Sequence, residues 1–428
     1  MTTAPADPSA IRFPEVPADF WEQQALQATA DCTRPAVLPV PDPSGRLFRM
    51  EDVLELGASN LNAGDVSVNV DGVLLKNPEL PGTPPTNVAE FERYLADLAA
   101  RNQAEAVTYT RDYCLRHSDR VAMMTRSFIS GFVDRRGIPA PGINVVYIAG
   151  HYQETWIGLH NDWCNTFLVP VHGRKKIMLW EPGYFADKGL EEKAAFNGIC
   201  FGHVDVAPYA ADALVLEAEP GEILFIPENW WHYNQLPSAE TSLALSIGVF
   251  SNGTPAAAFQ PAIKAALQMP QFNERAESPP RLPGGVLTSL ADVELPAHAE
   301  ALLQAIRDSL TVHHLARSTS SGVIGGGGAL REAPELTADS VLRGRADSPV
   351  VLLRTGDGTG LLFVLGGMSR QPDAAHVTLL VEHLTAGRPF RLEQAIARPD
   401  HAQAVTALAR SLYERGVADL VGGQDVVG

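Results

Sequence analysis

No stretch of the 428-residue chain approaches the roughly 18–20 consecutive apolar residues that a membrane span needs, so no membrane partner is expected. The first residues, Met1-Thr2-Thr3-Ala4-Pro5-Ala6-Asp7, lack the basic-then-apolar order of a secretory signal, and a cytoplasmic location is the expectation. Cysteine is scarce. Cys32, Cys114, Cys164 and Cys200 are far apart and form no CxxC pair, which argues against a zinc knuckle or a redox dithiol. Positive charge is not gathered anywhere, and the formal net charge is -17, so phosphate backbones are poor partners and no nucleic acid is expected. Also missing are a GxSxG elbow, a Walker-type loop, a GxGxxG turn after a strand, and any internal repeat.

What is present has the length for a catalytic domain with appended modules. The opening 12–58 carries aromatic and apolar residues broken by prolines and reads as short strands and turns, with a helix over 17–29 that Asp19 would cap. A clear amphipathic helix spans 87–102: Phe91, Tyr94, Leu95 and Leu98 recur at helical spacing, and Asn87-Val88-Ala89-Glu90 resembles a capping box. From 143 to 250 the texture changes to short β-type runs at 144–148, 156–162, 166–171, 175–180, 213–217, 222–226 and 242–250, the pattern of a sandwich or barrel. Helices follow at 255–269 and 296–315, separated by the turn-rich 278–285. The glycine- and serine-rich 317–328 reads as a linker. Beyond it lies a small α+β unit with strands near 350–353 and 361–365 and helices near 374–385, 392–396 and 401–415.

The chemistry is concentrated in Gly158-Leu159-His160-Asn161-Asp162 and, far downstream, in Pro220-Gly221-Glu222-Ile223-Leu224-Phe225-Ile226-Pro227-Glu228-Asn229-Trp230-Trp231-His232. On a strand His160 and Asp162 project from one face and can bind one ion together. Two polar residues two apart also occur on the wet face of many strands, so the tripeptide alone is weak. The second segment adds a single histidine after a Pro-Gly turn, an apolar strand and two tryptophans, whose indoles suggest a shielded ligand. Two imidazoles and a carboxylate on one side of an octahedron leave the other side open, which suits non-haem iron(II) with a bidentate keto acid and dioxygen. His151, His172 and His203 have no carboxylate at metal-binding spacing.

In spacing and context the chain resembles the JmjC family of iron(II)- and 2-oxoglutarate-dependent oxygenases within the cupin superfamily. The resemblance covers about 13–250 and is strongest over 145–250. It implies a mostly β catalytic core, a double-stranded β-helix (jelly roll) with flanking helices, in which the HxD…H triad occupies the second and seventh strands. The metal ligands it implies are His160, Asp162 and His232. Gly173-Arg174-Lys175-Lys176-Ile177-Met178-Leu179-Trp180 is similar to the family's fourth strand, where a lysine grips the far carboxylate of 2-oxoglutarate, and Lys175 matches that position. Lys175 also shares a strand face with Ile177 and Leu179, so it is the lysine expected to point inward, where an anion would offset its desolvation. Tyr147 resembles a tyrosine bonded to the same carboxylate, one residue farther from the histidine than the family pattern, a shift that a bulge would absorb. Asn165 and Thr166 stand where the family places a polar pocket residue. On the last strand Ala244, Ser246 and Gly248 form the small face, with Ser246 a candidate supporting donor.

The expected organisation is a catalytic domain over 1–252, a helical, dimerisation-like region over 253–316, a linker over 317–328 and a winged-helix-like domain over 329–428. The element order of this tail is similar to that of the ribosomal oxygenase subgroup, which hydroxylates protein side chains. The tail has no lysine after Ala316, so support of a homodimer or another interaction is expected of it rather than DNA binding. Three functions remain open: hydroxylation of a peptide or protein C–H bond with release of succinate and CO2, hydroxylation of a small molecule in specialised metabolism, and a cupin-like binding protein without turnover. Asp162 favours hydroxylation over halogenation, because the related halogenases replace the carboxylate with a small residue.

Overall fold

The computed structural model describes residues 16–421 except 18, 43–46, 60–65, 72, 76–79, 140–141, 152–156, 196–197, 203, 236–240, 252–254, 273–294, 324 and 326–327. His203, Trp156 and the turn-rich 278–285 therefore lie outside the described residues.

Among the described residues fourteen strands make two antiparallel sheets: β1 (Ala36–Pro39), β2 (Val66–Val70), β3 (Val73–Leu75), β4 (Val107–Arg111), β5 (Gly142–His151), β6 (Leu159–Asp162), β7 (Asn165–His172), β8 (Lys175–Trp180), β9 (Lys193–Ala195), β10 (Gly198–Gly202), β11 (Leu214–Ala218), β12 (Glu222–Ile226), β13 (Trp231–Gln235) and β14 (Ser242–Phe250). The larger sheet has the order β1-β12-β7-β14-β5-β4-β2-β3 and the smaller β11-β8-β13-β6-β10-β9. Eight of these strands, β5 to β8 and β11 to β14, divide equally between the sheets in the pattern of a double-stranded β-helix. The smaller sheet thus carries β6 and β13, the second and seventh strands of the eight.

Strand alternation sorts the side chains into two apolar layers. On β14, Leu243, Leu245, Ile247 and Val249 face a helical layer and pack with Phe20, Trp21, Phe91 and Phe128, while Ala244 turns into the barrel with Leu168, Ile177, Leu179, Leu224 and Ile226. The helical layer holds α1 (Met50–Ala58), α2 (Val88–Arg101) and α3 (Asp119–Arg136). Asn87 caps α2, its side chain accepting from Glu90 N at 2.9 Å. Asp19 makes no such bond, and the helical segment that follows it is a π-helical turn over Phe20–Ala25. Helix α3 has no periodic signature in the sequence, because Val121, Met123, Met124, Phe128, Ile129 and Phe132 are buried on several of its sides and leave no single apolar stripe. Trp21 enters this layer through a gap at Gly131, where an added Cβ would lie 2.3 Å from the indole.

After the barrel come α4 (Pro255–Leu267) and α5 (Ala297–Ser318), which pack together. The expected linker is a packed connection instead: Thr319, Ser320, Ser321 and Val323 are buried, and a Cβ at Gly325 would meet the Leu115 carbonyl oxygen at 2.0 Å. Small side chains permit that close backbone approach, and the same composition reads as flexibility when only the sequence is seen. The C-terminal unit contains two three-stranded sheets with α6 (Ala374–Ala386) and α7 (Ala402–Glu414). It docks on α3, whose Met123 belongs to the C-terminal core and whose Ser127 accepts from Arg345 at 3.3 Å. Among the described residues no helix is long and apolar enough to cross a membrane.

Candidate metal centre

His160 on β6 and His232 on β13 are direct partners in the antiparallel ladder. Opposed residues share a face, and His232 also pairs with Leu179 of the barrel interior, so both imidazoles point inward. Asp162, two residues from His160, shares their face. One ligand atom from each of the three residues lies within 4.8 Å of the other two, and His232 Nε2 is 3.8 Å from Asp162 Oδ2.

Backbone carbonyls select the tautomer of both rings. His160 Nδ1 is 2.9 Å from the Gly158 carbonyl oxygen and His232 Nδ1 is 3.0 Å from that of Trp230. A carbonyl only accepts, so each Nδ1 carries the proton and each Nε2 presents a lone pair. Burial holds His232 well below the ordinary imidazole range, the neighbouring His160 adds to this, and the Trp230 carbonyl opposes it. Burial also raises the Asp162 carboxyl, against the pull of His160. A divalent cation is the partner that suits two neutral imidazoles and one poorly solvated carboxylate. The residues present therefore fit a metal ion.

The scaffold around the triad is tight. Asn229, in a left-handed conformation at φ 64°, donates its N–H to the Asp162 carbonyl at 2.8 Å and ties the turn before β13 to the end of β6. On the other side β10 pairs with β6, with Gly198 opposite Asp162; a Cβ there would lie 1.8 Å from the Asn161 carbonyl oxygen. The tryptophans do not surround His232 as expected. Trp231 points to the outer face, stacking on Phe201 at 4.2 Å, and Trp230 donates its Nε1–H to the Thr33 carbonyl. Trp231 thus backs β13 from the outer side, while Trp230 packs against the edge of the interior cluster of Leu168, Leu179 and Ile226.

Lys175 is buried, and alternation with Ile177 and Leu179 puts it on the triad's face. Lys176 turns outward to Glu217, 3.7 Å away. Thr166 and Ser246 also face the interior: Thr166 pairs with Ile226 and Gly248, and Ser246 with Leu168. Tyr147 does not. The β5–β14 register runs without a bulge and places Tyr147 opposite Leu245 on the helix-facing side, among Phe91 and Tyr109. The expected contact with a carboxylate in the barrel is thereby excluded. Asn165 pairs with Val249 on that outer side too, and its amide bonds Ser251 at 3.1 Å and Glu228 N at 3.4 Å. Asn234 was overlooked; it lies two residues beyond His232 on the same face, a position that period-two counting would have found. Clefts of about 700 Å³ beside α3 and about 720 Å³ on the outer face of the smaller sheet contain none of the triad.

Residues 86–247 match the family model of the cupin-like domain. This segment is a cupin-like domain. No curated protein matches the sequence. Among solved structures the chain is similar to Escherichia coli YcfD, at 14% identity, with 94% of this chain and 97% of that one covered and a TM-score of 0.46. It is also similar to YcfD described as a ribosomal oxygenase in complex with cobalt and 2-oxoglutarate, at 15% identity, 91% and 96% coverage and a TM-score of 0.43. The cupin-like domain stops short of α4 and everything after it.

Proposed function

We propose that the chain is an iron(II)- and 2-oxoglutarate-dependent hydroxylase that acts on a C–H bond of a peptide or protein side chain. The observation that carries this reading is the inward-facing triad His160, Asp162 and His232 with both Nε2 lone pairs free for a metal. Two histidines and one carboxylate are the ligand set of non-haem iron(II) oxygenases. Iron(II) with the keto acid and dioxygen would supply the oxidising power, releasing succinate and CO2.

The chain's own residues have three tasks. His160, Asp162 and His232 hold the ion. Lys175 binds the far carboxylate of 2-oxoglutarate, which in turn offsets the desolvation of a buried ammonium, with Thr166 and Ser246 lining the way between. Leu168, Ile177, Leu179, Leu224 and Ile226 keep water out. A peptide substrate is favoured by Trp163, which follows Asp162 directly and is half exposed, an apolar platform beside the centre. The regions 253–316 and 329–428 are assigned to substrate docking or to a second copy of the chain.

The test is iron-dependent formation of succinate from 2-oxoglutarate by the full chain, with and without peptide pools. Turnover is expected in the wild type and lost in Asp162→Ala. Wild-type turnover by Asp162→Ala would remove the reading.

A further inference from the structure

Where the C-terminal unit meets α3, the buried charges do not balance. Arg126 of α3 is fully buried there, yet its bonds reach only neutral acceptors: Nη1 meets the Met123 sulfur at 2.8 Å and Nη2 the Gly325 carbonyl oxygen at 3.5 Å. Its Nε–H has no partner. Arg415, which follows α7 directly, also keeps a buried Nε–H without a partner.

Arg126 feels the charges of Asp347, Arg415, Arg345 and Asp119. The Asp347 carboxylate is already engaged, because its two oxygens accept from Arg345 at 3.0 and 2.6 Å. Asp119 is exposed, so water weakens its pull. Arg126, Arg345 and Arg415 against Asp119 and Asp347 leave one positive charge in excess. Asp419, bonded to Arg331 at 3.1 Å, adds one charge of each sign and leaves that excess as it is.

A buried guanidinium without an anion carries a desolvation cost that neutral contacts do not offset. Burial accordingly lowers Arg126 to about 10 and lowers Arg415 as well, though an arginine still keeps its proton at neutral pH. The missing element is a small anion. A way in exists, since the cleft of about 700 Å³ beside α3 is lined by Ser127, Arg345, Asp347 and Asp419 of the same junction.

We propose that a monovalent inorganic anion of the size of chloride binds the Arg126 Nε–H in this cluster, matches the excess charge and secures the C-terminal unit on α3. One such ion leaves the cluster neutral, whereas a divalent anion would reverse the imbalance.

The full chain is unfolded by heat in sodium chloride and, at equal ionic strength, in sodium gluconate, whose anion is too bulky for a closed site. Chloride is expected to raise the midpoint by about 2–4 °C in a saturable manner. Arg126→Met, which fills the space without a charge, should abolish the difference between the salts. Crystals of the wild type grown in sodium bromide should show an anomalous peak within hydrogen-bonding reach of Arg126 Nε. The proposal is overturned by a chloride effect that Arg126→Met retains, or by a bromide map without a peak at Arg126. Equal wild-type midpoints in the two salts overturn it too, and a bromide peak would then mark an adventitious ion only. If Arg126→Met does not fold, the two wild-type measurements decide alone.

Discussion

His160 and His232 stand directly opposite one another across the β6–β13 ladder, their ring centroids 4.0 Å apart. Each ring is held by a carbonyl two residues before it in sequence, so the two share one device and one orientation. Two unprotonated nitrogens so close are mutually repulsive until a cation lies between them. Replacement of either histidine, or of Asp162, by alanine should weaken Mn(II) or Co(II) binding by about 100-fold or more, beyond the usual effect of losing a supporting residue. Metal titration of the three variants checks this, and retention of wild-type affinity in any one removes that residue from the centre.

Gly198→Ala should damage the centre without touching a ligand. Its methyl would collide with the Asn161 backbone, which lies between the two ligands of β6. The expected outcome is a loss of about 1–3 kcal/mol of stability together with weaker metal binding. Thermal unfolding and metal titration of the same preparation report both. Unchanged values would mean that β10 gives way freely.

Tyr147→Phe supplies the opposite expectation. The phenol is buried on the helix-facing side without a hydrogen-bond partner, and burial raises its pKa well above the ordinary value. Removing an unsatisfied hydroxyl should leave stability unchanged or slightly improved, and 2-oxoglutarate affinity unaltered. A large loss of cosubstrate binding would restore Tyr147 to the pocket.

The docking of the C-terminal unit should depend on acid. Burial alone would raise the Asp347 carboxyl, but the Arg345 guanidinium at 2.6 Å outweighs it and holds the group below its ordinary value of 3.8. Because the folded value is the lower one, the stabilisation is complete above about pH 3.8 and disappears as pH falls through the depressed value. At neutral pH Asp347→Asn leaves Arg345 with the more distant Asp419, 3.6 Å from its Nη1. The variant should lose up to about 3–5 kcal/mol, the range for breaking a buried pair, and show a flatter acid limb. Unfolding followed across pH in both proteins checks the sign.

Much of the centre is legible in the sequence. The HxD spacing, the lone histidine after a Pro-Gly turn and the choice of Lys175 over Lys176 all depend on strand period, which one sequence displays directly. Tyr147 and Asn165 went astray for the same reason. Their residue types suited a pocket, but which face of a strand is the inner one is decided by its neighbours, and pairing with Leu245 and Val249 of β14 turns Tyr147 and Asn165 outward. Helix α3 was hidden because it is covered on several sides, and the supposed linker misled because glycine and serine serve tight packing as readily as flexibility.

By itself the sequence determined the local grammar: alternating strands, the turns between them, and the kinds of side chain that can hold a metal. Only the tertiary structure decided which of those side chains meet. Residues 160 and 232 become neighbours through a ladder between strands far apart in the chain. Such a pairing depends on the burial of both sheet faces together, a property of the whole barrel and not of either segment.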